Sequence, residues 1–204
     1  EDAEVGAAQQ QLSEAAAAVE FVVLPLAVTN EGKGAPIAMG IQRWWAQELT
    51  KAGARAAAPV FTAMARNQQG QEVPALMVYR DAWTDERALE GITKFPNAKR
   101  ALIPDFHVAD DKLTLSARLV DVKADGEETK LEAVTEVSFS VGPKDLAEKI
   151  QETAAELAAR QGKSLETTSW KQAFGTENDQ ALLSFLVGLG NLSALQGRVV
   201  PATS

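Results

Sequence analysis

The residues best suited to bind a ligand lie in the loop 30–34, which reads Asn-Glu-Gly-Lys-Gly between an apolar run and a helix pattern. The N-terminus of a helix carries unpaired N–H groups and a partial positive charge, and it therefore favours anions. Asn30, Lys33 and Gly34 are accordingly the predicted ligand-binding residues. The loop has neither the residue spacing of a P-loop nor a GxGxxG pattern. An ordinary βα turn is therefore the simpler interpretation.

A second chemical candidate surrounds His107, which is the single histidine of the chain. Asp105, Asp110 and Asp111 are its neighbours in sequence, and a His/Asp cluster can bind a metal ion or act as a base. Aspartates are also common in turns for backbone reasons, which explains Asp110 and Asp111 equally well. The chain has no cysteine, which excludes disulfides and thiol chemistry. No Ser-His-acid set can be assembled, and we expect neither an enzyme nor a cofactor nor a metal site.

The adjacent tryptophans Trp44 and Trp45 are candidates for an interface with another protein. Neighbouring residues on a helix point about 100° apart, so we expect one ring in the core and the other ring exposed. An exposed tryptophan is a frequent anchor of protein–protein interfaces.

The last predicted helix is the other interface candidate, through an apolar face that includes Leu182, Phe185 and Leu189. Gly188 and Gly190 interrupt it, and each costs about 1 kcal/mol relative to alanine in a helix. Close packing against another helix would explain them. That neighbour belongs to this chain, to a further helical repeat or to a partner protein.

The elements that position these residues begin with the apolar run Phe21–Val28, which is typical of a central strand. Apolar residues at 37, 41, 45 and 49 then fall on one helical face, and Gly53 suits the helix end. We expect a short second strand over 55–62. The apolar stretch 73–79 fits a helix or a strand. Thr84, followed by acidic residues, predicts a further helix start.

Three successive strand patterns follow, at 101–108, 113–122 and 131–141, with turn residues between them. They predict an antiparallel meander with one buried face. An amphipathic helix then runs from Asp145 to Gly162, and the last helix runs from Asn178 or Asp179 to about Leu195.

The predicted fold is therefore α+β with an α/β-like start, in the order β-α-β-α-β-β-β-α plus a C-terminal helical appendix. Helices pack on one mixed sheet of about five strands. Residues 1–19 are interpreted as a flexible arm with a helix from Ser13. Residues 20–162 form the main domain, and residues 163–204 form a connector and a helical segment.

The chain has 204 residues and a net charge of −8, with 20 Lys/Arg against 28 Asp/Glu. This balance argues against nucleic acid as a partner, because such binding depends on Lys and Arg. No apolar run is long enough to span a bilayer, so we expect no direct membrane insertion. The chain begins with an acidic residue rather than Met, which is compatible with a mature exported protein.

The opening Val23-Leu24-Pro25-Leu26, Asn30, Gly40-Ile41 and Leu49 resembles the strand-loop-helix start of the TolB N-terminal-like domain. The stretch 113–121, LTLSARLVD, is similar to a late strand of that family. The last helix looks like the start of a helical repeat. The resemblance covers about residues 21–161. It implies a domain of bacterial envelope or regulatory proteins that is not generally catalytic.

The main functional hypothesis is a non-catalytic protein-binding or scaffold domain of the bacterial cell envelope, which acts in an assembly. We therefore expect a protein partner or self-association, and an extracytoplasmic location in the periplasm or cell envelope. The alternative hypothesis is a regulatory domain that senses a small anionic ligand.

Overall fold

The computed structural model describes residues 2–29, 34–109, 112–125, 128–166, 172 and 176–199. The helices in this part of the chain are α1 (Asp2–Ala17), α2 (Ala35–Lys51), α3 (Asp85–Ile92), α4 (Leu146–Ala159) and α5 (Asp179–Val199). The strands are β1 (Phe21–Val23), β2 (Ala27–Val28), β3 (Ala56–Ala57), β4 (Thr62–Arg66), β5 (Glu72–Leu76), β6 (Arg100–Ala109), β7 (Lys112–Asp125) and β8 (Glu128–Val141).

The main sheet is mixed and has the order β3-β1-β6-β7-β8, with β2 also paired to β6. Strand β1 is parallel to both β3 and β6, whereas β6, β7 and β8 form an antiparallel meander. Strands β4 and β5 form a separate hairpin. The predicted α+β class, the mixed sheet, the meander and the C-terminal helix are confirmed.

The apolar run that opens the sheet is divided into two short strands. Pro25 lies between them, and a proline has no N–H to give to a strand ladder. The Pro25 carbonyl instead accepts a hydrogen bond from Trp83 Nε1 at 2.8 Å. Both strands nevertheless pair with β6. The run is thus a central segment, as predicted, with one interruption.

Apolar side chains cover both faces of the sheet and form two clusters. Helices α2, α4 and α5 pack on one face, where Trp45, Phe106 and Leu115 are fully buried. Helix α3 and the segment that carries Phe61 and Trp83 cover part of the other face. Burial on two faces explains why the run Phe21–Val28 is continuously apolar instead of alternating.

A bulge in the meander moves the side chains of β8 from one face to the other. Leu119 pairs with Thr135 but Val120 pairs with Ala133, so Val134 is an extra residue. Consequently Val137 lies in the cluster with α2, whereas Leu131 packs against the cluster with α3. The predicted single inward face of this strand is therefore wrong, because a bulge changes the phase of the alternation.

Two other local predictions need correction, and one open alternative is resolved. The N-terminal helix begins at Asp2 rather than at Ser13. The expected second strand 55–62 is reduced to Ala56–Ala57, because Pro59 follows and Thr62 already begins the hairpin. The ambiguous stretch 73–79 contains a strand, β5. The helix start at Thr84 is confirmed, since its side chain accepts a hydrogen bond from the Arg87 N–H.

Helix α5 packs on α2 through two glycines. A Cβ at Gly190 would lie 1.9 Å from the Pro36 carbonyl oxygen, and one at Gly40 would lie 2.1 Å from the Leu186 carbonyl oxygen. A Cβ at Gly188 would meet nothing within 4 Å. The expectation of close helix packing is therefore met at Gly190, and the neighbouring helix belongs to this chain.

Candidate functional site

A cleft of about 460 Å³ opens at the edge of the sheet where the parallel strands begin. Ligand pockets in proteins commonly measure about 300–1,000 Å³, so the cleft is large enough for a small molecule. We call it the cationic cleft. Its lining residues are Glu20, Phe21, Ala54, Arg55, Lys99, Arg100, Asp121, Val122, Lys123, Arg160, Gln161 and Lys163.

The topology of the sheet brings these residues together from five places in the sequence. Strands β1, β3 and β6 are parallel, so their first residues meet at one edge, with Phe21 opposite both Ala56 and Arg100. Strand β7 is antiparallel, and Arg100 therefore faces Asp121 near its far end. Helix α4 ends at the same edge, where the Arg160 carbonyl accepts a hydrogen bond from Arg100 Nη1 at 2.9 Å.

Positive charge is concentrated in this cleft against the balance of the whole chain. Six of the lining residues are Lys or Arg, and two are acidic. The complete chain has 20 Lys/Arg against 28 Asp/Glu. A cleft lined by one sign of charge focuses the electrostatic field and raises the local concentration of counter-ions. The acidic protein therefore has a local excess of positive charge at this cleft.

Glu20 joins two of the cations across the cleft. Its carboxylate lies 2.6 Å from Arg55 Nη2 and 2.7 Å from Lys99 Nζ. Hydrogen bonds from Lys99 and Arg55 lower the pKa of Glu20 to about 2. The group therefore stays ionised at neutral pH. The Arg55 and Lys99 side chains are 64% and 74% exposed, so both remain accessible from solvent.

Arg100 forms the fixed floor of the cleft. Its Nε donates to Asp121 Oδ1 at 2.8 Å, and both side chains are 29% exposed. The additional bond from Nη1 to the Arg160 carbonyl offsets the partial negative charge at the end of α4. Two bonds from one planar guanidinium hold it in a single orientation. Arg100 therefore adds a positioned charge instead of a mobile one.

The remaining cations of the cleft form exposed ion pairs or none among the described residues. Lys123 pairs with Glu132, and Arg160 Nη2 lies 3.4 Å from Glu156 Oε1. Lys163 makes no ion pair with any residue in the part of the chain that the structure describes. Exposed pairs of this kind are worth roughly 0–1 kcal/mol, so a ligand can displace them at small cost.

A second cavity of about 350 Å³ adjoins the cationic cleft and shares Glu20, Arg55 and Lys99 with it. Its other wall includes Asn97, whose Nδ2 donates to the Ala17 carbonyl at 2.7 Å. The end of helix α1 thus lies beside the site. Glu20 lines both cavities and lies three residues after the end of that helix.

Gly34 is the one residue of the predicted anion-binding loop that the structure describes, and it does not line the cationic cleft. Asn30 and Lys33 lie outside the described residues, so their role stays a prediction. Gly34 begins α2 with a φ of 86°, a conformation that favours glycine. A Cβ there would lie 3.1 Å from Val108 Cγ2. Local geometry is therefore sufficient to explain why residue 34 is glycine.

Both tryptophans of the predicted interface are buried, so the expectation of an exposed ring is wrong. Trp45 is 0% exposed and donates from Nε1 to the Ile150 carbonyl at 2.9 Å. Trp44 is 7% exposed and donates to Gln151 Oε1 at 2.9 Å. Helix α5 contributes to the burial of Trp44, because it packs closely on α2 and contacts this ring. The Phe185 ring meets Trp44 edge to face, with 6.0 Å between centroids.

The other predicted interface residues are likewise used inside the chain. Leu182 is 3% exposed and belongs to the core, while Phe185 and Leu189 are partly buried against it. These residues hold α5 on α2. Further along α5, Leu192 and Leu195 are 46% and 59% exposed.

In the described structure, His107 and Asp105 belong to no group of histidines and acidic residues that could hold a metal ion. His107 is exposed, and its Nδ1 lies 2.8 Å from Thr29 Oγ1. Asp105 Oδ1 is buried without a hydrogen-bond partner among the described residues. Burial raises the pKa of Asp105, whereas a hydrogen bond from the backbone N–H of Trp83 and the charge of Arg118 act to lower it. Asp110 and Asp111 lie outside the described residues.

Within the described ranges, no group of three or more His, Asp or Glu residues is arranged to hold a metal ion. In the same part of the chain, none of the helices is long and apolar enough to cross a membrane. The chain matches no model of a known protein family, and no curated protein matches its sequence. The resemblance to the TolB N-terminal-like domain therefore stays a prediction.

Sequence reasoning missed the cationic cleft because its parts are short and scattered. Arg55, Lys99-Arg100 and Arg160 each look like ordinary surface charges at the ends of elements. One signal was nevertheless present. Lys or Arg lies at the start of two of the predicted strands, and Arg160 lies near the end of the helix that follows the meander. The parallel pairing places such residues at a common edge.

Proposed function

We propose that this chain is a non-catalytic binding domain whose ligand is a small anion held in the cationic cleft. The observation that carries the proposal is the six Lys/Arg residues around one cavity in a chain with net charge −8. This function corresponds to the alternative hypothesis of an anion-sensing regulatory domain. The site differs from the loop predicted for it.

The lining favours a compact ligand with several negative charges. Arg100 presents a fixed guanidinium, and a planar guanidinium suits phosphate and carboxylate groups. Phe21 is the aromatic residue of the lining, and its side chain is 2% exposed. Among the residues that the structure describes, a nucleobase would therefore find no aromatic face to stack on in the cleft. A polyphosphate or a polycarboxylate matches the available chemistry better than a nucleotide does.

Sodium tripolyphosphate is a suitable probe for this site. Its binding is expected to raise the melting temperature of the chain, because a ligand that binds only the folded state stabilises it. The variant Arg160→Gln/Lys163→Gln is expected to lose most of the shift. Lys149→Gln is the matched control, because Lys149 pairs with Glu152 on α4 and does not line the cleft.

The proposal also predicts that added sodium chloride weakens the effect, since the charges of the cleft are exposed and screened. An unchanged melting temperature for the wild-type chain across the titration would count against an anion site. An equal shift in the double variant would place the binding elsewhere.

A second candidate function is protein binding within an assembly, as the main hypothesis from the sequence states. The observation in its favour is the exposure of Leu192 and Leu195 on α5. Sedimentation analysis over a range of concentrations tests self-association through this surface. Dimerisation that Leu195→Glu abolishes would support it, whereas a monomer at every concentration would remove self-association from consideration. The expected envelope location stays a prediction.

A further inference from the structure

The carboxylate of Glu20 occupies the position in the cationic cleft where an acidic group of a ligand would bind. It contacts Arg55 at 2.6 Å and Lys99 at 2.7 Å, and these residues precede two different strands of the sheet. Short contacts of this kind are typical of charge-assisted hydrogen bonds. The chain therefore supplies its own anion at this point.

The backbone of Glu20 holds this carboxylate in place. The Glu20 N–H donates to the Arg55 carbonyl at 2.9 Å. The Glu20 carbonyl accepts hydrogen bonds from the Lys99 N–H at 2.9 Å and the Arg100 N–H at 3.2 Å. The residue is thus tied to the same two segments that its side chain bridges. A tethered group has a high effective concentration at its site, which a dissolved competitor must exceed.

A ligand with a single charge gains little by competing with Glu20. It would replace one carboxylate by another at Arg55 and Lys99, without the advantage of the tether. A ligand with several charges can also contact Lys163, Arg160 and Lys123, which line the same cavity and are held by weak pairs or by none that the structure describes. A ligand that contacts several cations at once has a higher affinity than a ligand that contacts one, because its second contact is intramolecular.

We infer that Glu20 is a built-in competitor that restricts the cationic cleft to ligands with several negative charges. This inference rests on the proposed anion-binding function and specifies the ligand class of that site. Glu20 acts here as a specificity-determining residue.

The test compares acetate, pyrophosphate and tripolyphosphate by amide chemical-shift titration of the full chain and of Glu20→Gln. The wild-type chain is expected to bind tripolyphosphate and to bind acetate only weakly. In Glu20→Gln the affinity for acetate is expected to rise about fivefold or more, in the usual range of coupling between sites. The preference for tripolyphosphate over acetate is expected to fall accordingly.

Glu152→Gln is the matched control, since it removes one negative charge and one exposed ion pair outside the cleft. Its ratio of tripolyphosphate to acetate affinity is expected to equal that of the wild-type chain. Glu20→Asp is the second variant in case Glu20→Gln does not fold. Its shorter carboxylate is not expected to bridge both cations. The affinity for acetate should therefore rise in this variant too, but by less than in Glu20→Gln.

The outcomes separate this inference from the proposed function. Tripolyphosphate binding to the wild-type chain, with the same preference in Glu20→Gln, would overturn the role of Glu20 and leave the anion site intact. Absence of binding by every anion to both chains would overturn the anion site and the competitor together. Anion binding to Glu20→Gln alone would show that Glu20 excludes every anion, and it would overturn both the selection by charge and anion binding by the wild-type chain.

Discussion

The tryptophan pair of α2 and the cationic cleft differ in whether their polar and charged groups are buried with hydrogen-bond partners or exposed to solvent. Between α2 and α4, Trp44 donates to Gln151, and Gln151 Nε2 donates to Glu48 Oε2 at 3.1 Å. Glu48 also pairs with Lys51. Every group in this buried chain of bonds has a partner. In the cleft, by contrast, cations outnumber acids and remain accessible to water.

This difference separates structure from binding. A buried polar network whose members are all satisfied fixes the packing of two helices and leaves no group for a ligand. An exposed excess of one charge stabilises the fold little, because surface ion pairs contribute roughly 0–1 kcal/mol. Such an excess is available to bind a partner of opposite charge. The tryptophans therefore belong to the fold, and the cleft is the site of the proposed function.

The largest expected effect comes from removing a tryptophan. Trp44→Ala should lower the free energy of unfolding by about 3–5 kcal/mol, since the ring is buried and Gln151 loses its donor. Urea unfolding measures the loss. Leu195→Ala is the control, because a side chain 59% exposed should change stability by no more than about 0.5 kcal/mol. A loss below about 1 kcal/mol for Trp44→Ala would contradict the burial of this ring and support the predicted role of Trp44 as an exposed interface residue.

The glycines of α5 provide the next prediction. Gly190→Ala should destabilise the chain by about 1–3 kcal/mol, because the new methyl group would lie 1.9 Å from the Pro36 carbonyl oxygen. Gly188→Ala, where nothing lies within 4 Å, should stabilise the helix by up to about 1 kcal/mol. Thermal unfolding of both variants measures the difference. Equal effects would show that α5 does not pack on α2 through Gly190.

A smaller effect is expected at Asp105, which is partly buried and has an unpartnered oxygen. Burial raises its pKa above the usual 3.8, so ionisation costs stability as the pH rises through the folded pKa. Asp105→Asn should therefore stabilise the chain at neutral pH by less than about 1 kcal/mol after solvent screening. The gain should vanish below the unfolded pKa, where Asp105 is neutral in both states. Melting temperatures across pH test this, and a gain that persists in acid would contradict it.

The smallest effect on stability is expected from the cations of the cleft. Arg160→Gln/Lys163→Gln should leave the free energy of unfolding within about 0.5 kcal/mol of the wild-type value, because both residues lie at the surface after α4 ends. Urea unfolding without added anion measures it. A loss of several kcal/mol would mean that these charges serve the fold, and the contrast with the tryptophan pair would then disappear.

The sequence predicted elements whose signal is local. The spacing of apolar residues on α2, the alternation along β7 and the Thr84 cap each depend on neighbours within a few residues. The burial of Trp44 could not be predicted in this way, because it depends on α5, which begins more than 130 residues later. The bulge at Val134 was missed for a related reason, since the pairing with β7 defines it.

The cationic cleft is the extreme case of this limitation. Glu20, Arg55 and Lys99 become neighbours only because three strands run parallel and in register. No stretch of the sequence contains more than a small part of the site. The loop 30–34 was chosen instead because its glycines and lysine are contiguous. Contiguity is easy to recognise, but charge density in the folded chain depends on topology.

The location of anion binding tests the central claim most directly. Backbone amide shifts of the full chain, recorded during a tripolyphosphate titration, locate the bound anion residue by residue. The largest changes are expected at 54–55, 99–100, 121–123 and 160–163. Changes confined to the start of α2, at 34–38, would instead support the predicted loop and contradict the assignment of function to the cationic cleft.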